Sequence, residues 1–411
     1  MQKTVHLATK LPSFQSARDS VAQTLEVELS TKRVERLTER IGCERVTQRE
    51  LSIAEWEALM LVEKLAAPPG IKAPAVVCIS ADGGRMQRCD LPSTAQSHWC
   101  EDKIGALFEL RPNPHESDPC PQIPDKFLDV AKMDEVTREI KSGVPKVAAN
   151  EACLANAAVS IDDKVNAAGA VASLTREAIV MEPPIIEHRD VIASLADSTT
   201  FGKQLAARAW SLGFAGALLK AFIADGSSSN WGLWQREFKH QNYVPILDFI
   251  HALTYVFSAA MAGRSHAAGE PIYRRWITCL WQGEVQQVIA EVATRATELG
   301  PLPADASTTD PRQIVADTLT YLTNQQSRMK YPAYRQAGLP ITSSPIESTV
   351  KQINHRVKGS EKFWSATGGE ALLQLRADQL SDTAPLDLFW TNRTRQATGT
   401  RNYKKTTKTA A

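Results

Sequence analysis

Three acidic residues stand where a chain could gather carboxylates for metal chemistry. Asp82 follows the apolar run APAVVCIS, Asp225 ends AFIAD just before Gly226, and Glu347 lies in SSPIEST. Open α/β sheets place ligand-binding groups at the carboxyl ends of their strands. Magnesium needs only a few carboxylates and keeps waters and phosphate oxygens as its other ligands. Each residue also has a plainer use, and taken singly that use is the stronger reading. Asp82-Gly83-Gly84 suits a hairpin turn. Asp225 suits a turn, or a cap for a helix starting near Asn230. Ser344-Pro345-Ile346-Glu347 spells a capping box, with Ser344 as N-cap and Pro345 at the first helical position. Lys351 lies four residues beyond Glu347 and could pair with it. Ile346, Val350, Ile353 and Val357 supply the buried stripe of that helix.

Asp248 and His251 form a second candidate pair at a strand-to-helix junction, in Asp248-Phe249-Ile250-His251. Two ligands do not make a metal site, so the pair reads first as a capping aspartate and a core histidine. One local charge cluster breaks an otherwise even balance. Between Arg328 and Lys362 stand seven basic residues (Arg328, Lys330, Arg335, Lys351, Arg356, Lys358 and Lys362) against Glu347 and Glu361 alone. Tyr331, Tyr334, Phe363 and Trp364 lie among or beside them. Cations with interleaved rings suit phosphate contact and base stacking in a nucleic-acid channel; a solvated basic face is the alternative.

These residues need elements to position them. Residues 12–66 read as helical. Ser30 is placed to cap TKRVERLTERIG, so this helix and the one ending near Leu25 form either a helix-turn-helix or a plain hairpin. AEWEALMLVEKL reads as a third helix, and Pro68, Pro69 and Gly70 end it. Strand patterns over 73–110 predict three successive antiparallel strands, with Asp82 at the first strand tip. Residues 111–186 read as an irregular or helical insertion. A helix near Phe201–Leu212, strands ending at Asp225 and Asp248, a long helix to Met261 and wholly helical sequence over 271–330 follow. The last helices begin at Pro345 and cover Gly369–Gln379. The chain of 411 residues is 43% hydrophobic with net charge +1, so overall charge neither favours nor excludes nucleic acid. No run of about 18 apolar residues supports a membrane span. The start MQKTVHLATK has no apolar signal core, and seven scattered cysteines without a C-x-x-C pair favour a reducing cytoplasm.

Taken together, ADGGRMQRC, HWCEDKIGALFEL, DPCPQIPDKFLD, KAFIADGSSSNWGLWQREF, VPILDFIHALTYVFSAAMAG, WITCLWQGEV, YLTNQQSRMKYPAYRQAGLPITSSPIEST and KQINHRVKGSEKFWS resemble, in order, bacterial insertion-sequence transposases. The resemblance is to the Kra-type group or close unclassified kin, and covers roughly residues 12–390. It implies an RNase H-like mixed sheet flanked by helices, with a helical insertion before the last catalytic glutamate and a helical N-terminal region. The implied division is 1–70 helical, 71–262 core with an insertion at about 111–186, 263–330 helical insertion, 331–390 core with the glutamate helix, and 391–411 a basic disordered tail. Asp82, Asp225 and Glu347 match the family's catalytic, metal-binding triad. Asp248 and His251 match a D-x-x-H motif that supports the site. Arg328, Lys330, Lys351, Arg356, Lys358, Lys362 and Trp364 are the expected DNA-binding residues.

The resemblance implies two Mg2+ or Mn2+ ions, about 3.5–4 Å apart in such sites, and cleavage followed by strand transfer at the ends of an insertion sequence. The partners would be double-stranded DNA and further copies of the chain, as a homodimer or larger assembly at the bacterial nucleoid, with no membrane. Three rival readings stand beside it. One is a truncated or repurposed remnant that binds DNA without cutting it; the second is a different RNase H-like nuclease; the third, an unrelated structural α/β protein, requires every plain reading of the carboxylates to hold at once.

Overall fold

The apolar run after Ala75 becomes the centre of a mixed sheet. In the computed structural model, which describes residues 1–92, 94–95, 97–142 and 184–396, it forms β1 (Val76–Arg88). The other strands are β2 (Trp99–Leu110), β3 (Ile186–Ser194), β4 (Leu219–Ala224), β5 (Val244–Leu247) and the short β6 (Phe363–Trp364). The order is β3-β2-β1-β4-β5, with β6 beside the far end of β1. β1, β2 and β3 run antiparallel, whereas β4 and β5 run parallel to β1. Val77, Cys78 and Ile79 are buried on successive positions, as a strand covered on both faces requires. The chain is thus an α/β protein with a mixed six-stranded sheet.

Two expectations fail in this sheet. Asp82-Gly83-Gly84 is not a turn, and Asp82 is not at a strand tip: β1 runs unbroken through it, with Gly83 opposite Lys103 and Gly84 opposite Asp102. The glycine at 84 serves close approach. A Cβ there would stand 2.5 Å from Asp102 Oδ2 and 2.9 Å from Asn354 Oδ1. The third antiparallel strand is not split off β1. It is β3, whose polar start EHRD precedes the buried VIAS.

Fifteen α-helices surround the sheet among the described residues. At the N-terminus α1 (Gln2–Lys10), α2 (Phe14–Leu25), α3 (Thr31–Ala58) and α4 (Leu61–Lys64) follow one another. Ser13 and Ser30 cap α2 and α3 as their type favours. α3 continues through the AEWEA expected to start a separate helix. After β2 an irregular stretch leads into α5 (Val130–Ser142); the rest of the expected insertion to residue 183 lies outside the described residues. Then come α6 (Ser198–Ser211), α7 (Ser228–Leu233), α8 (Phe249–Met261), α9 (His266–Trp281), α10 (Val285–Leu299), α11 (Pro311–Gln325) and α12 (Tyr331–Gln336). The region 271–330 is not wholly helical, since an irregular link joins α10 to α11. Last are α13 (Ser344–Val357), α14 (Ala366–Leu380) and α15 (Pro385–Gln396). Residues 391–396, expected in the tail, continue α15, and 397–411 lie outside the described residues.

One large apolar core joins the sheet to most of the helices, and two small clusters hold α1 to α3, one of them with α14 and α15. Sheet residues such as Ile79 and Phe222 share the large core with Tyr273, Trp281 and Val288 of the helices between β5 and α12. Arg335, one of the basic cluster, is wholly inside it. Its Nε donates to Asp118 Oδ1 at 2.8 Å, and its guanidinium lies 4.1 Å over the Trp281 ring. A buried guanidinium needs such partners to offset its desolvation. α3 packs along α14 through Arg45–Asp378 and Arg49–Glu370 ion pairs, each 2.8 Å.

Candidate metal centre

The first two carboxylates meet because β1 and β4 are parallel neighbours. Ser80 is level with Ile223, so two residues further along each strand bring Asp82 beside Asp225. Asn230, in the first turn of α7, ties the two strands together. Its Nδ2 donates to Asp225 Oδ1 at 3.0 Å and to Ala81 O at 3.2 Å. Asp225 Oδ1 also accepts the Ser227 amide at 2.9 Å. From the helical block, Tyr321 donates its hydroxyl to Asp225 O at 2.8 Å, and Gln325 Nε2 donates to Gly226 O at 3.1 Å. Gly226 turns the chain with φ +101°, and a Cβ there would stand 2.7 Å from the Tyr321 ring. Glycine meets both demands, of backbone and of space.

The glutamate comes from the N-terminal turn of α13, and Asp248 holds that turn in place. Asp248 is fully buried at the start of α8. Its Oδ1 accepts the Ile250 amide at 2.7 Å, and its Oδ2 accepts the Ser343 amide at 3.0 Å and the Ser343 hydroxyl. One carboxylate therefore joins the starts of two helices. The capping box expected at Ser344 does not form. Ser343 occupies the N-cap position, its hydroxyl is turned to Asp248, and Ser344 lies inside the helix. His251 sits one turn along α8 with Nδ1 3.3 Å from Asp248 Oδ2, a contact of charge without hydrogen-bond alignment.

Asp248, His251 and Glu347 each offer a ligand atom within 4.8 Å of the other two, so this group could hold a metal ion. Among the described residues it is the one such group; Asp82 and Asp225 stand at its edge, outside that distance. Electrostatics link all five. Burial pushes the Asp82 carboxyl up to about 6, Asp225 and Asp248 add to the shift, and His251 works against it. Burial likewise pushes Glu347 up to about 7, with Asp248 and Asp82 adding and His251 and Lys351 opposing. Burial disfavours the His251 imidazolium, but Asp248, Asp225 and Glu347 outweigh it and raise its pKa to about 9. Burial also opposes ionisation of Asp248, and the His251 and Ser343 contacts reverse that and hold it low. A buried gathering of carboxylates with one imidazolium is short of positive charge.

A cavity of about 330 Å³ opens on the Asp82 and Asp225 side, with Arg85, Lys103, Ser198 and Asn230 on its walls.

The expected DNA-binding residues divide. Lys330, Lys351 and Lys358 are exposed. Lys362 is half-buried and donates to His355 O at 3.1 Å. Arg328 lies 4.3 Å over the Trp231 ring and donates to Gln325 Oε1 at 2.6 Å. Arg356 and Trp364 are buried and are not available to DNA. Arg356 Nε donates to Ala8 O at 2.9 Å, and its guanidinium lies over both the Phe14 and the Trp364 rings. It fastens α1 and α2 to the glutamate helix. The sequence reading missed Asn230, Tyr321, Gln325 and Ser343. Only the turn residues Ser227 to Asn230 carried a local signal; the others act across long separations.

No protein-family model matches the chain, and no curated protein matches it in sequence.

Proposed function

We propose that this chain is a DNA transposase of the DDE type with an RNase H-like core, cutting and joining DNA with Asp82, Asp225 and Glu347. The electrostatic coupling of Asp82 to Asp225 and of Glu347 to Asp82, across β1, the turn after β4 and the start of α13, supports the reading. The mixed sheet, with three antiparallel strands followed by two parallel to β1, supports the RNase H-like part of the reading. The long helical block between Asp225 and Glu347 fits the same family pattern.

The donor set fits hard divalent cations: half-buried oxygen ligands, with the Asp82 and Glu347 carboxyls raised by burial and by neighbouring acids. Asp82, Asp225 and Glu347 would hold two Mg2+ or Mn2+ ions. Bound there, such ions supply charge stabilisation and an activated oxygen nucleophile for displacement at phosphorus. The protein's own part is positioning. Asn230, Tyr321 and Gln325 fix the Asp225 turn, and Asp248 with Ser343 fixes the start of the glutamate helix. His251 keeps a positive charge among the carboxylates. The cavity beside Asp82 and Asp225 is where the cleaved strand enters, with Arg85 and Lys103 toward its phosphates. Lys351 and Lys358 face outward along the glutamate helix to meet flanking phosphates. The substrate is double-stranded DNA, and two or more copies of the chain act on paired ends.

The test is cleavage and joining of duplex DNA taken from either side of the chain's own coding sequence, with Mg2+ or Mn2+. Metal-dependent nicks leaving 3′-hydroxyls, joined products, and loss of both in Asp82→Asn are expected. DNA binding by the wild type with no cleavage under either metal would sink the reading in favour of a non-cutting binder. Preference for RNA–DNA hybrids would favour another nuclease of this fold.

A further inference from the structure

Asp102 is an enclosed carboxylate close to this centre. It stands on β2 opposite Gly84. Facing residues of an antiparallel pair lie on one side of the sheet, as do residues two apart on one strand. Asp102 and Asp82 therefore share a face, on a diagonal of roughly 7–8 Å. Asp102 has no exposed surface, and neither of its oxygens receives a hydrogen bond. Across the space left by Gly84 is Asn354 of α13, seven residues beyond Glu347. Its Oδ1 is also buried and without a donor. Asp102 Oδ2 and Asn354 Oδ1 both lie within 3 Å of the point where a Gly84 Cβ would stand.

Two acceptors without donors beside one small dry space are costly. A single proton removes the conflict, because a carboxylic acid is a donor and a carboxylate is not. We propose that Asp102 is held as the neutral acid and donates its proton to Asn354, so that it pins the glutamate helix to the sheet without adding charge to the carboxylate cluster. Its environment agrees. Burial pushes Asp102 up to about 7; Glu101 on its own strand and Asp82 on β1 add to the shift, and its own backbone amide and Lys358 at the end of α13 oppose it. Asp102 is a positioning residue. That what it positions is a catalytic glutamate rests on the transposase reading; the hydrogen bond itself does not.

The experiment is thermal unfolding of the full chain and of Asp102→Asn, with chelator, from pH 4 to 9. An acid whose folded pKa is raised stabilises the fold below its unfolded value near 4. That stability is lost as the pH rises through about 7. The asparagine keeps the donor and cannot ionise. Asp102→Asn is therefore expected to melt above the wild type at pH 8, with the gap closing as the pH falls from about 7 to about 4. The infrared difference between the two at pH 6 should carry a protonated carboxyl band, and the variant should cleave DNA as the wild type does at pH 6. A gap that does not change with pH, or a variant that melts lower at every pH, would overturn the proposal; it would mean an ionised Asp102 receiving the Asn354 amide. If the melting behaves as expected but the wild type never cuts DNA, the hydrogen bond stands and the transposase reading falls.

Discussion

Ser343 donates both its backbone amide and its hydroxyl to one carboxylate oxygen of Asp248. The two residues are 95 positions apart, and the contact fixes where the glutamate helix begins relative to α8. Removing one partner from such a buried arrangement leaves the other unsatisfied, which costs about 1–3 kcal/mol for a neutral donor and about 3–5 kcal/mol for a charged partner. Ser343→Ala should therefore lower unfolding stability by about 1–3 kcal/mol, and Asp248→Ala by about 3–5 kcal/mol. In urea titrations the double variant should fall well short of the sum. Additive losses would show that the pair is not a unit.

Metal affinity should depend on pH with a definite sign. Asp82 at about 6 and Glu347 at about 7 hold protons at acidic pH, and a cation binds only their ionised forms. Mg2+ or Mn2+ binding should tighten as the pH rises from 5 through about 7, and should release protons near pH 6. Calorimetry in buffers of different ionisation heat reads that release directly. Binding that is flat with pH would show that these two carboxyls are not ligands. Asp82→Asn, Asp225→Asn and Glu347→Gln should each lower cleavage by roughly 1000-fold or more, about 4 kcal/mol in barrier, with the fold intact.

The strands leading to Asp225 and Asp248 were legible, because an apolar run too short for a helix and closed by a charged residue marks a buried strand reaching the edge of the core; the same pattern at Asp82 marked an end where β1 in fact continues to Arg88. Asp-Gly-Gly misled, since glycine is demanded equally by a hairpin and by a close approach. Only the position of Asp102 and Asn354 tells the two apart. The charge cluster misled for a different reason. Counting basic residues ignores which helix face they occupy. Arg356 is three positions after Ile353 and one before Val357, on the buried stripe; Lys351 and Lys358 share a different face and are exposed. Helical spacing already contained that distinction. The clamp on Asp225 from Tyr321 and Gln325 was not legible, because it depends on how the helical block folds back over β4.

That clamp has its own consequence. Tyr321→Phe deletes one hydroxyl and leaves the ring, including its stacking on Tyr255 at 3.8 Å between centroids. The Asp225 carbonyl then loses its donor, at about 1 kcal/mol of stability. Because that carbonyl sits on the turn carrying a proposed ligand, cleavage should fall by more than the stability loss alone accounts for. A roughly tenfold lower rate at saturating DNA, with unchanged DNA affinity, is the expected result. Gly226→Ala should be worse on both counts, since it adds strain at φ +101° and a clash with the same ring.

Salt dependence separates the basic residues that reach DNA from those that hold the fold. Neutralising a lysine that contacts one phosphate weakens binding on all sequences and lowers the salt slope by about 1. Lys351→Gln and Lys358→Gln should do this and leave the melting temperature nearly unchanged, as both side chains are exposed. Arg356→Ala should do the reverse. It removes the guanidinium that lies over Phe14 and Trp364 and leaves Ala8 O without its donor, which should cost about 2–4 kcal/mol in stability. The salt slope per bound molecule should stay the same, while α1 and α2 become more open to proteolysis. If Arg356→Ala instead lowered the slope without loosening those helices, the arginine would have to leave its pocket to meet DNA. The link it makes between the N-terminal helices and the glutamate helix would then be broken in the bound state.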